Sequence, residues 1–211
     1  MTNAHSHKSF IVKHKDCAVI VAHPDDETLW TGGNILMHPE INWTILTLCR
    51  MSDPDRAPKF RKAMKVLRAR GIMGDLDDGP EQIPLDCHEV QCAITELLPS
   101  NSFDLLITHG HGGEYTRHRR HEEVGKAVMA LWKNEKLFAK EIWRFAYEDG
   151  DGLYLPKAVQ GADLQIRLSN EIWQKKYYII TKIYGFVPDS FEAKTAPKKE
   201  AFNCFNANKQ V

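Results

Sequence analysis

The chain has 211 residues and equal numbers of basic and acidic side chains, 28 of each, so its formal net charge is zero. A neutral chain of this length fits one globular domain and has no excess charge to favour nucleic acid or an anionic membrane surface. No apolar run is long enough to span a membrane, and the first eight residues lack the apolar core of a signal peptide. We therefore expect a cytoplasmic protein that neither binds nucleic acid nor inserts into a membrane, as a monomer or a homo-oligomer.

Composition also suggests how the chain is divided. Residues 1–15 are rich in Lys, Ser and His and are expected to form a flexible leader. Residues 16–211 show no internal linker and are expected to form a single domain that ends in an irregular tail. The five cysteines are scattered without a C-x-x-C pair, which argues against a disulfide framework and against a cysteine zinc site.

The first informative stretch covers residues 17–27, CAVIVAHPDDE. Its apolar run predicts a strand buried on both faces, and the polar residues follow where that strand ends. His23 and Asp26 lie three residues apart across a turn, so their nitrogen and oxygen atoms can converge on zinc or another divalent ion. The alternative is that Asp25 or Asp26 only caps the helix that follows.

The rest of the chain alternates predicted strands and helices. In the helix after the first motif, Gly32 and Gly33 are expected to permit close approach of another backbone or of the site. Apolar runs predict three later strands, and helical periodicity predicts four helices. These elements predict an α/β fold, a Rossmann-like three-layer sandwich with a mostly parallel central sheet. The later strands are expected at residues 43–49, 103–108 and 142–147, and the helices at residues 28–38, 59–70, 87–98 and 169–184.

A second polar cluster, HGHGGEYTRHRRH, follows the strand predicted at residues 103–108. His118 and His121 are three apart where helical character resumes, so both imidazoles can face one site. His121 would be a third ligand beside His23 and Asp26, and three protein ligands plus water are the composition of a catalytic zinc site. Arg119 and Arg120 are interpreted as surface charges.

These two motifs together resemble the PIG-L/LmbE family of zinc-dependent N-acetylglucosaminyl deacetylases. The resemblance is carried by AHPDDE at residues 22–27 and by His118-x-x-His121, and it extends over residues 17–150. It implies a deacetylase-like domain with the same three-layer fold. One departure is Arg120, where many members have an acid before the metal-binding histidine.

The resemblance also implies a role for each matched residue. Asp25 would be the general base, and His118 would stabilise the oxyanion or act as an acid. Arg56 would bind substrate, because it matches a substrate-binding arginine of some members. The metal, zinc or another divalent ion, would be held by His23, Asp26 and His121.

We therefore expect a metal-dependent hydrolase that removes the N-acetyl group from an N-acetylglucosamine-type amino sugar or its conjugate, a small-molecule substrate. The chemistry is consistent with this, because amide hydrolysis needs an activated water, a charge sink for the oxyanion and a proton for the amine. Two alternatives are a metal-dependent phosphoesterase and a non-catalytic sugar-binding module on the same scaffold. A dinucleotide enzyme is disfavoured because the first strand is not followed by G-x-G-x-x-G.

The C-terminal region, residues 183–202, gives little periodic signal. Its aromatic residues would either pack against the sheet or line a sugar site, and packing is favoured. They are Tyr184, Phe186, Phe191 and Phe202.

Overall fold

The computed structural model describes residues 14–206. The flexible leader predicted for residues 1–15 lies outside the described residues except for its last two. None of the described helices combines the length and apolar character needed to cross a bilayer. In chain order the elements are β1 (Asp16–Val21), α1 (Asp26–Met37), β2 (Asn42–Cys49), α2 (Arg56–Leu67), β3 (Arg70–Leu76), α3 (Cys87–Leu97), β4 (Ser102–Thr108), α4 (Arg119–Lys133), β5 (Phe138–Phe145), β6 (Tyr147–Glu148), β7 (Lys157–Ala158), β8 (Leu164–Arg167), α5 (Asn170–Tyr178), a π-helical turn (Ile179–Ile183), α6 (Phe191–Thr195) and β9 (Lys199–Asn206).

A seven-stranded sheet with the order β3-β2-β1-β4-β5-β9-β8 forms the centre of the molecule. β1 to β5 pair in parallel, and β9 is antiparallel to both β5 and β8. Alternate β1 side chains enter two separate cores, with Val19 in one and Ile20 in the other. The first core includes Trp30 of α1 and the second includes Val124 of α4. This confirms the predicted three-layer α/β sandwich with a mostly parallel sheet.

The strand order reverses at β1, which lies between β2 and β4. Open α/β sheets bind ligands at such a switch point, outside the carboxyl ends of the strands, where the loops diverge and leave a crevice. The segments after β1 and β4 carry His23 and His109, so both polar clusters start at this crevice. The register confirms that the two strands are direct neighbours, with Ile20 opposite Thr108.

The chain differs from the prediction at β3, at the short strands β7 and β8, and in the region after α5. β3 was not predicted, because Gly71 and Gly74 interrupt its short apolar pattern and it lies at the edge of the sheet. As a result, the strand expected to be third in the chain is β4. The region after α5, expected to be irregular, instead contains α6 and the eight-residue strand β9. Their order comes from packing and from pairing with β5, neither of which leaves a local periodic signal.

At Gly33 the groups that approach α1 closely are two side chains, and not another backbone or the site as expected. A Cβ atom at this position would lie 2.4 Å from Leu168 Cδ2 and 2.9 Å from Glu200 Oε1. The group that approaches is a buried carboxylate, since Glu200 accepts hydrogen bonds of 2.7 Å from the Gly33 and Asn34 amides. Lys176 neutralises this carboxylate through a buried ion pair of 2.7 Å. The absence of a side chain at Gly33 therefore allows Glu200 of β9 to contact α1 and, through its ion pair, α5.

Candidate metal centre

The turn between β1 and α1 has an unusual backbone conformation. Asp25 has a φ of 122°, and its amide donates to Glu27 Oε2 at 2.9 Å. Non-glycine residues rarely adopt this φ, and such strain is concentrated at functional sites. Although Asp25 precedes α1, its side chain makes no capping hydrogen bond. The helix-cap interpretation of Asp25 is therefore wrong, because its carboxylate contacts Arg56 instead.

Asp26 lies between two imidazoles. Its Oδ2 atom is 3.2 Å from His23 Nδ1, and its Oδ1 atom is 3.2 Å from His121 Nε2. Ligand atoms bound at about 2.0–2.1 Å to one tetrahedral zinc ion lie about 3.3 Å apart. Both distances to Asp26 fit this spacing. The structure thus brings together the three residues that the sequence analysis proposed as ligands.

His121 supplies the clearest sign that a cation belongs here. Its side chain is fully buried, and its Nδ1 atom is 2.6 Å from Glu114 Oε2. With the Nδ1 proton donated to that carboxylate, Nε2 faces Asp26 Oδ1 at 3.2 Å and has no other partner among the described residues. Two buried acceptors that face each other are costly, so a positive charge belongs between them, either a proton on Nε2 or a metal ion. A carboxylate behind a histidine is also the usual support for a metal-binding imidazole.

Among residues 14–206, two sets of three side chains each have ligand atoms within 4.8 Å of one another. One set consists of His23, His118 and His121, and the other of Asp26, His109 and His121, so His23 and Asp26 belong to different sets that His121 joins. His109 has no lone pair to offer, because its Nε2 accepts from the Ala22 amide at 2.9 Å and its Nδ1 donates to Glu114 Oε2 at 2.8 Å. We therefore interpret His109 as a support for Glu114.

A cavity of about 240 Å³ opens beside these residues. Charged side chains that line it form two ion pairs, Asp25 with Arg56 and Asp78 with Arg50. Aromatic side chains also line it, and Tyr115 contacts both His118 and Phe191, with ring centroids 5.3 Å and 4.9 Å apart. The combination of rings and hydrogen-bonding groups suits a ligand that is both polar and partly apolar.

The environment of Asp25 favours proton uptake. Burial and the neighbouring Asp26 carboxylate raise the pKa of Asp25 well above its usual value, although the Arg56 guanidinium opposes this change. Arg56 Nη1 lies 3.0 Å from Asp25 Oδ2, and its guanidinium packs over the Phe186 ring. Asp25 is therefore a fixed carboxylate at the cavity wall whose affinity for a proton is increased.

His118 lies at the start of α4, stacked on His121 with ring centroids 4.0 Å apart. Burial, followed by the charges of His121 and His23, lowers the pKa of His118 to about 3. Its imidazole is therefore neutral near pH 7 and can donate one hydrogen bond. Its Nδ1 atom is buried without a hydrogen-bond partner in the structure.

No family model matches this sequence. Solved structures do resemble the chain, and the match to each of the three named here spans 93% of this chain. N,N'-diacetylchitobiose deacetylase from Pyrococcus horikoshii is 13% identical with a TM-score of 0.68, and 85% of that chain is covered. The zinc-inhibited form of teicoplanin deacetylase Orf2 is 15% identical with a TM-score of 0.60, and 100% is covered. The 4-carboxy-2-hydroxymuconate hydratase GalB from Pseudomonas putida is 15% identical with a TM-score of 0.56, and 98% is covered.

The chain shares their fold. This confirms the architecture implied by the resemblance to the PIG-L/LmbE deacetylases. Two of these three structures are named as deacetylases and one as a hydratase. A shared fold supports several reactions, so the reaction has to be argued from the site.

Sequence reasoning missed two buried carboxylates of the centre. Glu114 accepts from the Gly110 amide as well as from both imidazoles behind the site. Asp78 accepts from His23 Nε2 at 3.2 Å, although it belongs to a loop without periodic pattern. Glu114 could have been suspected from the Gly-Glu-Tyr segment that contributed to the family resemblance, whereas Asp78 has no local signal.

The interpretation of Arg120 as a surface charge is wrong. Its side chain is only 1% exposed, and its guanidinium donates to the backbone carbonyls of Asp77 and Ile83 and to the Glu123 carboxylate. Helical spacing places Arg120 beside His121, but the loop that covers it comes from a distant part of the chain. Long-range packing of this kind cannot be recognised from the local sequence.

Proposed function

We propose that this chain is a metal-dependent hydrolase that removes the N-acetyl group from an N-acetylglucosamine-type amino sugar or its conjugate. The observation that carries the proposal is the buried Nε2 atom of His121, which faces Asp26 Oδ1 at 3.2 Å next to His23 and the protonatable Asp25. Two structures with the same fold are named as deacetylases, which supports this reaction over others that the fold could host.

In this proposal His23, Asp26 and His121 hold the metal, which is zinc or another divalent ion. When bound, such an ion polarises an amide carbonyl and lowers the pKa of water. Asp25 takes the proton from the attacking water, because its carboxylate lies at the cavity wall and has a raised pKa. The Arg56 contact at 3.0 Å keeps that carboxylate in one orientation.

His118 has the second chemical role. Because its pKa is lowered to about 3, it acts as a neutral imidazole that donates a hydrogen bond to the developing oxyanion. Arg56 uses one of its guanidinium nitrogens on Asp25 and presents its remaining N–H donors to a polar substrate. The substrate is a small-molecule amino sugar.

The structure bears on the alternatives. A two-metal phosphoesterase needs two ligand sets, but the two candidate groups among residues 14–206 share His121 and cannot hold two separate ions. Hydration of an unsaturated acid is a second candidate, because GalB has the same fold. A non-catalytic sugar-binding module would retain sugar binding without releasing acetate.

The test is acetate release from N-acetylglucosaminyl compounds by the purified, zinc-loaded protein. The Asp25→Asn variant should lose a factor of ~10²–10⁴ in kcat while keeping its zinc content, since general bases typically contribute that much. Asp55→Asn is the matched control, because Asp55 lies before α2 and its side chain is 65% exposed. Undiminished kcat in Asp25→Asn would refute the base assignment. Absence of acetate release from every compound, with water addition to an unsaturated acid instead, would favour the hydratase.

A further inference from the structure

Asp78 is a loop carboxylate that makes hydrogen bonds to three other side chains. Its side chain is 7% exposed, and it lies between β3 and α3. Its Oδ1 atom is 3.2 Å from His23 Nε2 and 2.9 Å from Gln82 Nε2, and its Oδ2 atom is 2.7 Å from Arg50 Nε. The loop thus places a fixed anion directly behind His23.

This contact determines how His23 can act. When Nε2 donates its proton to Asp78, the Nδ1 lone pair is left on the side of Asp26, 3.2 Å away. His121 has the same arrangement with the ring reversed, because its Nδ1 donates to Glu114 and its Nε2 faces Asp26. Each of the two imidazoles therefore contacts its own carboxylate through one ring nitrogen and Asp26 through the other.

Arg120 fastens the loop that carries Asp78. Its Nε atom donates to the Asp77 carbonyl at 2.6 Å, and its Nη2 atom donates to the Ile83 carbonyl at 2.8 Å. These two carbonyls lie on either side of Asp78 in the chain. The same guanidinium is tied to α4 through Glu123 at 2.6 Å. A planar group with five donors can make all these bonds at once, whereas a lysine cannot.

We propose that Asp78 is a positioning residue that orients His23 for metal binding, and that Arg120 acts through Asp78 by holding its loop against α4. The inference depends on the metal centre of the proposed function but not on deacetylation. The chain has Arg120 where many PIG-L/LmbE members have an acid, and here that side chain supports a carboxylate brought in from another loop.

The experiment measures zinc affinity of the metal-stripped full chain by competition with a chelator. Asp78→Asn should bind zinc ~10–100-fold more weakly, as is typical when an outer carboxylate is lost. Glu81→Gln is the matched control, with the same charge change on an exposed side chain of the same loop, and should stay within about twofold of the parent. Equal Tm values of the metal-free proteins would show that the fold is intact.

Unchanged zinc affinity in Asp78→Asn would overturn the proposal. If that variant does not fold, Asp78→Glu replaces it with the same expected loss, because the added methylene displaces the oxygen that His23 contacts. The visible spectrum of the cobalt-loaded protein gives a second readout, which should change in the Asp78 variant and not in the Glu81 control. Failure of acetate release would not affect either measurement.

The role of Arg120 is tested by a double-mutant cycle. Arg120→Lys should weaken zinc binding in the parent chain, and it should cause no further loss when Asp78 is already Asn, because the two residues then act through one contact. Equal losses in both backgrounds would show that Arg120 does not act through Asp78 and would overturn that half of the proposal.

Discussion

His121 is held between two carboxylates, Glu114 at Nδ1 and Asp26 at Nε2. Burial alone would lower its pKa, but the charges and hydrogen bonds of Asp26 and Glu114 outweigh burial and raise the pKa of His121 to about 10. Without metal the imidazole is therefore protonated near pH 7. A metal ion at Nε2 takes the position of that proton.

Metal affinity should consequently increase with pH. The pKa of His121 lies above the range of pH 6 to 8, and, against the effect of burial, hydrogen bonds to Asp26 and Asp78 raise the pKa of His23. At least one proton therefore leaves for each ion bound, and the apparent affinity should rise at least about tenfold per pH unit. Zinc calorimetry in buffers of different ionisation enthalpy measures the number of protons released. Affinity that does not change over this range would mean that zinc binds elsewhere or that His121 is neutral in the free protein.

At this scale the sequence predicted the residues that come together but not those that support them. His23 and Asp26 could be proposed because they lie three residues apart across a turn. His121 could be proposed because it lies one helical turn after His118. Glu114 and Asp78 could not, because a supporting carboxylate depends on where a loop returns to the sheet. Their contacts are hydrogen bonds between residues that belong to different elements.

At the scale of elements, α1 is the helix that starts at the metal centre, and Gly33 fixes its position against β9. Gly33→Ala should lower the free energy of unfolding by about 1–3 kcal/mol, because the added methyl would overlap Leu168 and Glu200. Gly32→Ala is the matched control, since the nearest atom to its Cβ would be Thr28 Cγ2 at 3.3 Å, and helix propensity would offset that contact. Urea denaturation measures both, and equal stabilities would contradict this account of the helix.

The C-terminal elements show where aromatic packing was predicted correctly and where it was not. Tyr184 and Phe202 are buried in the core, as favoured. Phe191 instead lies at the start of α6, lines the cavity and is 36% exposed. Sequence cannot separate these cases, because all three are isolated aromatic residues and only the fold determines which one reaches the cavity.

Phe191 should therefore contribute to substrate binding. Phe191→Ala should raise KM about three- to tenfold with kcat nearly unchanged, since an aromatic contact contributes ~0.5–1.5 kcal/mol and a phenyl ring takes no part in the proposed proton transfers. Phe138→Ala is a control at the amino end of β5, where the side chain is 48% exposed. A fall in kcat without a change in KM would contradict the assignment, and so would an equal effect of the Phe138 variant.

At the scale of the whole molecule, the parallel sheet could be predicted because β1, β2 and β4 are continuous apolar runs. The edge strands β3 and β8 could not, since they are half exposed and lack that signal. Strand order is also not a local property. The two polar clusters meet because parallel strands carry their loops to the same end of the sheet.

The central claim is that His23, Asp26 and His121 share one divalent ion. The most direct measurement is anomalous X-ray diffraction at the zinc edge from crystals of the zinc-loaded protein. We predict one ion with a nitrogen of His23, a nitrogen of His121 and an oxygen of Asp26 at about 2.0–2.2 Å. An ion bound by the three histidines without Asp26, or no ion within reach of these side chains, would contradict the account.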